Sequence, residues 1–230
     1  MSNPRSDRAA ATKPTSSPVQ APRVVGVQIG RPREYRFGTR TVTSAIDKLP
    51  QRGAVRIGHE GIEGDTQVDR RYHGGVERAL CAYVAEHLAE WSRELGRLLA
   101  PGSFGENLTI EGWDERTVHI GDRFRFGSAL LEVTQPREPC NNLAGKLEAP
   151  SIIQRIQENG WTGWYSRVLE PGEAAEGLPF VREREDPARI TLAEAYRLRL
   201  DKGARRNDLQ RLLDVPGLSS GWRLSLTKRL

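Results

Sequence analysis

Three features of the sequence predict a mostly β fold (α+β): a barrel-like body with inserted helices, then a small three-helix domain. Residues 23–180 are a series of short apolar runs punctuated by glycine turns. Few segments there have helical spacing. Beyond Asp186 the period changes, and three short helical stripes follow. The expected organisation is a disordered tail over residues 1–22, a β-rich body over 23–180 and a helical unit over 187–230.

The tail holds Pro, Ser, Thr, Ala and scattered charge, with little to bury and no apolar segment of a signal peptide. Structure is expected from Arg23, with VVGVQIG as a strand ended by Pro32. Thr41 to Asp47 and Gly53 to Ile57 read as short strands, with Lys48-Leu49-Pro50 between them. A polar stretch rich in Gly and Asp runs from Gly61 to Gly75. Leu80, Val84, Leu88, Trp91 and Leu95 form one apolar stripe, which predicts a helix with Gly96 as C-cap and Cys81 in the core. Leu108 to Ile110 and Thr117 to Ile120 are strand-like, and Gly121-Asp122 a turn. Phe124, Phe126, Ala129, Leu131 and Val133 predict a long ribbon. Ser151 with Gln154 suggests a capping box for a helix through Ile156, ended by Asn159-Gly160, and Gly163 to Leu169 a last strand. In the final unit, Thr191 with Glu194 and Asn207 with Gln210 read as capping boxes, and Trp222, Leu226 and Leu230 as a third stripe.

Composition narrows the function classes. The chain has 230 residues, 37% of them hydrophobic, and no run approaches the roughly 20 apolar residues of a membrane helix. Cys81 and Cys140 stand far apart in unlike contexts, which suits a reducing cytoplasm rather than a disulfide framework. The net charge of +5 comes from the two ends: Arg5, Arg8, Lys13 and Arg23 oppose only Asp7, and residues 186–230 carry ten basic against five acidic residues. The body between them is net negative, a poor surface for nucleic acid.

The stretch LLEVTQPREPCNNL, Leu130 to Leu143, carries the strongest chemical signal. Its alternation predicts a strand that Pro136 and Pro139 stop. Cys140 then sits three residues after Arg137, with Asn141 and Asn142 as N-cap candidates for a short helix. A helix start and a guanidinium both favour thiolate, the form that binds a soft metal. A small buried hydrophobe is an equally common fate for a lone cysteine.

Two weaker constellations accompany it. His73-Gly74-Gly75 before a helix would present successive N–H groups to an anion, or it is a plain glycine-rich surface loop. Glu106-Asn107 at the mouth of a strand suits a heterocycle edge, or it is a turn. The four histidines fall into no metal-ligand spacing.

In order, the motifs HGG, SFGENLT, IGD and LEVTQPREPC resemble the molybdenum-cofactor sulfurase C-terminal (MOSC) domain. WTGWYSRVLEPGE and the three-helix appendage look like the stand-alone bacterial branch linked to resistance to N-hydroxylated purines. The resemblance implies a molybdenum cofactor (molybdopterin) with Cys140 as metal ligand and catalytic residue. It makes Lys48, Arg71, His73, Gly74, Gly75 and Arg137 candidates for the cofactor's phosphate, and Glu106, Asn107 and Thr109 for its pterin edge. One departure is that the branch often has a basic residue two after the cysteine, where this chain has Asn142. The chain carries no pyridoxal phosphate domain, no flavin or nicotinamide fingerprint and too few cysteines for a four-Cys iron–sulfur cluster. The implied activity is therefore a molybdenum-dependent oxidoreductase of N-hydroxylated small molecules, fed by a separate electron-donor protein. A sulfur or cofactor carrier using Cys140 is the alternative, and a basic helical docking module is a third reading.

Overall fold

A computed structural model describes residues 21–37, 39–68 and 74–230. The disorder expected of the tail therefore falls, for residues 1–20, outside the described residues. Thirteen strands and six α-helices are present among the described residues.

The main sheet contains eight strands in the order β13 (Phe180–Arg184), β9 (Arg123–Phe126), β10 (Ala129–Pro136), β11 (Trp164–Glu170), β7 (Leu80–Val84), β8 (Leu108–Glu111), β1 (Arg23–Gly30) and β4 (Lys48–Pro50). Only β7 and β8 are parallel, and the helix α1 (Ala85–Leu95) crosses between them. The other neighbours run antiparallel. The expected barrel does not close, because the strand order has two ends, β13 and β4. The sheet curls until the segment before β13 meets the start of β1. Val24 N donates to Leu178 O at 3.0 Å and Phe180 N to Pro22 O at 2.9 Å, and a single bridge joins Arg23 to Pro179 without a ladder. A small sheet, β12 (Gly172–Ala174), β5 (Val55–Gly58) and β6 (Gly61–Ile62), and a hairpin, β2 (Arg33–Phe37) and β3 (Arg40–Ser44), complete the β structure.

Several expectations are corrected. The helix read from the stripe starting at Leu80 begins at Ala85. Leu80–Val84 are strand β7, with all five residues buried. The sequence LCAYV has no strongly polar residue and so no period-two signal, and pairing with β11 and β8 decides the outcome. Thr117 to Ile120 form no strand: Asp122 Oδ2 accepts from His119 N at 3.0 Å, so the segment turns and keeps one bridge to Thr191. Lys48–Pro50 is an edge strand rather than a linker, and β12 and β13 follow the strand expected to be last. The helices α2 (Asn141–Lys146) and α3 (Ile152–Asn159) form as expected, although Ser151 makes no capping bond.

The three C-terminal helices are α4 (Leu192–Leu200), α5 (Arg206–Leu213) and α6 (Ser220–Thr227). Thr191 caps α4 through Glu194 N at 3.0 Å, as its spacing predicts. Asn207 instead lies inside α5, and Ser219 caps α6. Leu192, Leu198, Leu209, Leu212, Trp222 and Leu226 join Phe124, Leu131 and Val133 of the sheet in one apolar cluster. The helical domain is thus packed onto the sheet by shared burial. A second cluster, including Tyr83, Trp91, Phe104, Leu143 and Ile156, ties α1, α2 and α3 together. It fixes the short helix that follows Cys140.

Candidate functional site

Strand β10 runs to Pro136, and Arg137 N still donates to Gly163 O at 3.0 Å. That close approach requires glycine: Gly163 has φ +65°, and a Cβ there would meet Ala82 O at 2.3 Å. Beyond it the chain leaves the sheet, and extended Cys140 is the N-cap of α2. Asn141 and Asn142, expected as caps, are the first residues of the helix. Cys140 is half-buried and lines a cleft with Arg137, Asn142, Arg78, Cys81 and Tyr165. Thr43 to Ile46, Lys48, Asp65 to Val68, Gly105 and Asn107 close the other walls.

Arg137 is the electrostatic centre of this cleft. It is 5% exposed, and its guanidinium makes no hydrogen bond or ion pair with a described residue. Burial disfavours its charge, but Cys81, Tyr165, Cys140 and Glu106 outweigh that and raise its pKa. Burial also pushes the Cys81 thiol up to about 11, with Arg137 opposing, and holds the Tyr165 hydroxyl well above its ordinary value. Cys81 and Tyr165 are therefore protonated at neutral pH and offer Arg137 no counter-charge.

The other predicted contacts divide sharply. Lys48 lines the cleft but is already paired. Its Nζ is buried against Asp65, at 2.5 Å from Oδ1 and 2.7 Å from Oδ2. Asp65 also accepts from Gly30 N at 2.6 Å and Asn107 Nδ2 at 2.9 Å. Asn107 has both ends of its amide engaged, since Oδ1 accepts from Cys81 N at 3.1 Å and Nδ2 also reaches Gln28 O. Glu106 accepts from Gly102 N at 2.6 Å, Phe104 N at 3.0 Å and Thr109 Oγ1 at 2.9 Å. Glu106, Asn107 and Thr109, expected at a pterin edge, thus brace the 102–109 loop, and of the three only Asn107 touches the cleft.

The anion nest is altered in the same way. Arg71 and His73 lie outside the described residues. Gly74 and Gly75 are described, and Gly75 takes φ +89°, but its N–H donates to Gln67 Oε1 at 3.0 Å. The next element is a single 3-10 turn, Val76–Arg78, not a helix, so the helix start at the cleft is that of α2 beside Cys140 and not one after Gly75. Asp65, Gln67, Arg78 and Tyr165 are the cleft residues that sequence reasoning missed. Gln67 and Asp65 stood in the polar Gly61–Gly75 stretch, which was the available signal.

Residues 69–181 match the MOSC domain family, and residues 190–230 match the YiiM-like 3-alpha helix domain family. The chain is 36% identical over 210 residues to Protein YiiM of Escherichia coli, covering 89% of this chain and 91% of that one. It is 35% identical over 206 residues to YflK of Bacillus subtilis, covering 90% and 93%. This chain belongs to the MOSC family. As a MOSC protein of the YiiM-like branch it shares its fold with the crystal structure of YiiM from Geobacillus stearothermophilus, with TM-score 0.77, 32% identity and coverage of 91% and 99%. It also matches a protein of Gibberella moniliformis named a reductase, 34% identical over 170 residues, which make up 29% of that longer chain. In this MOSC protein no helix among the described residues is long and apolar enough to cross a membrane. No cluster of three or more His, Cys, Asp or Glu side chains suited to a metal ion occurs among the described residues.

Proposed function

We propose that the cleft holds a molybdenum cofactor with Cys140 as the protein ligand to the metal, and that the protein reduces N-hydroxylated bases or related N-hydroxy compounds. The observation that carries this reading is Arg137, a largely buried guanidinium that lines the cleft without a hydrogen-bond partner among the described residues, beside a half-buried thiol. A buried charge is costly unless something pairs with it, and an anionic ligand supplies the pair. The donor set fits such a group. A pterin-dithiolene brings its own sulfurs, so one protein thiolate and cationic contacts suffice and no larger ligand cluster is needed.

When bound, the cofactor supplies a metal centre able to exchange two electrons, which the chain itself lacks. The reduction takes an N-hydroxy group to the amine and water, consuming two electrons and two protons. The chain's residues do the positioning. Arg137 binds and orients the anionic end. The Lys48–Asp65 pair fixes the end of β1 through Gly30 N and, through Asn107, the backbone at Cys81. Cys81 lines the wall, and burial keeps its thiol protonated at neutral pH. The electrons come from a separate donor protein. The name of the matching Gibberella protein, a reductase, supports the reductive reading.

The test is protein made in a host competent for molybdenum-cofactor synthesis. The wild type is expected to carry stoichiometric molybdenum and to reduce an N-hydroxylated purine with a small-molecule reductant. Cys140→Ser should lose both while its stability changes by about 1 kcal/mol at most. Retained metal with loss of sulfur transfer would favour the carrier reading. Full activity with a large loss of stability would make Cys140 a core residue.

A further inference from the structure

We infer that Gln135 is a positioning residue through which the three-helix domain sets the guanidinium of Arg78 at the cleft. The inference rests on the reading of that cleft as an anion site. Gln135 is the penultimate residue of β10 and is buried. Its Oε1 accepts two hydrogen bonds: one from Ser219 Oγ at 2.6 Å, the other from Arg78 Nε at 3.3 Å. Ser219 is the N-cap of α6, and its own N–H donates to Thr134 O at 3.2 Å. Arg78 lines the cleft that contains Cys140 and Arg137. One amide oxygen therefore joins the first turn of the last helix to a cation of the site.

The neighbouring contacts run the same way. Glu77 Oε2 accepts from Ser220 N at 2.9 Å and from Ser220 Oγ, and its Oε1 accepts from Arg167 at 3.2 Å. Arg167 also donates to Gly217 O at 3.0 Å, and Thr134 Oγ1 to Glu77 O at 2.7 Å. The backbone that carries Arg78 is thereby fastened to the start of α6 on one side and to β10 on the other. Gly221 completes the arrangement: a Cβ there would stand 3.0 Å from Arg78 Nη2. The first turn of α6 thus limits where the guanidinium can lie. A guanidinium with several rotatable bonds loses its value as an anion contact unless something fixes it. Two arms of that fixation, the Ser219–Gln135 bond and the Gly221 surface, belong to the helical domain.

The experiment titrates the full-length protein with inorganic pyrophosphate by calorimetry at low ionic strength, with a melting curve on each preparation. Gln135→Leu removes the acceptor and should bind roughly tenfold more weakly. Gly221→Ala supplies the discriminating arm. Gly221 is the second residue of α6 and needs no positive φ, so alanine should hold the melting temperature, while the new methyl shifts the Arg78 guanidinium by a few tenths of an ångström and weakens binding. A brace that merely supports the fold would move the melting temperature and leave affinity in the folded protein unchanged. If both variants bind like the wild type while Arg137→Leu does not, the anion cleft stands and this inference is wrong. It is equally wrong if Gln135→Leu weakens binding only along with its stability and Gly221→Ala binds normally. If the wild type does not bind pyrophosphate, both the anion cleft and this role of Gln135 fall.

Discussion

Arginines in the helical domain and the arginine at the bottom of the cleft are used in opposite ways. Arg229 donates to Leu198 O at 2.9 Å, to Arg199 O at 3.2 Å and to Asp201 O, the last carbonyls of α4 and its cap. Arg223 donates to Leu213 O and, at 2.9 Å, to Val215 O at the end of α5. Arg199 pairs with Glu138 at 2.8 Å and Arg205 with Asp208 at 3.0 Å. Much of the positive charge that marks this end of the sequence therefore answers helix termini and local carboxylates. Arg137 is more deeply buried and has no such side-chain partner among the described residues. The difference teaches where to look for structural and for functional charge: a cation bonded to backbone carbonyls completes a fold, and a buried cation without a partner among the described residues is the candidate for a ligand.

The largest effect should come from breaking the buried pair on the cleft wall. Asp65→Ala leaves Lys48 Nζ buried without its partner and removes the acceptor for Gly30 N and Asn107 Nδ2. Loss of one member of a buried ion pair typically costs about 3–5 kcal/mol. Equilibrium unfolding in urea reads the change directly. A loss under about 1 kcal/mol would mean that Lys48 reaches water, and the contrast between paired Lys48 and unpaired Arg137 would dissolve.

A smaller effect should appear at alkaline pH. Burial raises the Cys81 thiol from 9.0 to about 11. Between those values the unfolded chain releases the proton and the folded chain keeps it. The stabilisation is thus complete below pH 9 and is lost as pH rises toward 11, at a total on the order of 2 kcal/mol. Tyr165 and Tyr83 shift in the same direction, so the wild type should lose more than this one share. Cys81→Ala should lack that share, and its stability difference from the wild type should shrink from pH 8 to pH 11. Parallel curves for the two proteins would place Cys81 in contact with water.

What the sequence disclosed follows the same division. The helical domain was legible because its stripes are local: three apolar periods gave α4, α5 and α6, and Thr191 caps as its spacing predicts. Cys140 at a helix start was legible for the same reason, since a proline-stopped strand and a short apolar helix adjoin in sequence. The roles of Lys48, Glu106 and Asn107 were not. Their partners are Asp65, Gly102, Phe104, Thr109, Cys81 and Gln28, and apart from the loop contacts of Glu106 these lie far along the chain. A sequence shows that a polar residue is present, not whether its hydrogen bonds are already taken. Strand β7 was missed because its sequence LCAYV has no strongly polar residue and so no alternation to read, unlike the equally buried β10, where Glu132 and Thr134 alternate with Leu131 and Val133.

The smallest change in stability should come from the residue that looks most buried and most charged. Arg223→Ala removes donors from Leu213 O and Val215 O, and helix carbonyls left without a charged partner should cost about 1–3 kcal/mol. Arg137→Leu removes no hydrogen bond to a described residue, because its guanidinium makes none. It also relieves the cost of holding a charge away from water, which protonated Cys81 and Tyr165 do not offset at neutral pH and Glu106 and Cys140 offset in part. Leucine fills part of the same volume beside the Cys81 and Tyr165 side chains. The expected shift is therefore within about 1 kcal/mol, in either direction. Molybdenum content should nevertheless collapse, and the Cys81 thiol should move further up, since Arg137 is what holds it down. Urea unfolding of Arg137→Leu and Arg223→Ala, with metal analysis of both, reads the comparison. If Arg137→Leu unfolds easily and Arg223→Ala does not, then Arg137 is the structural cation, and the anion site must be sought elsewhere on the cleft wall.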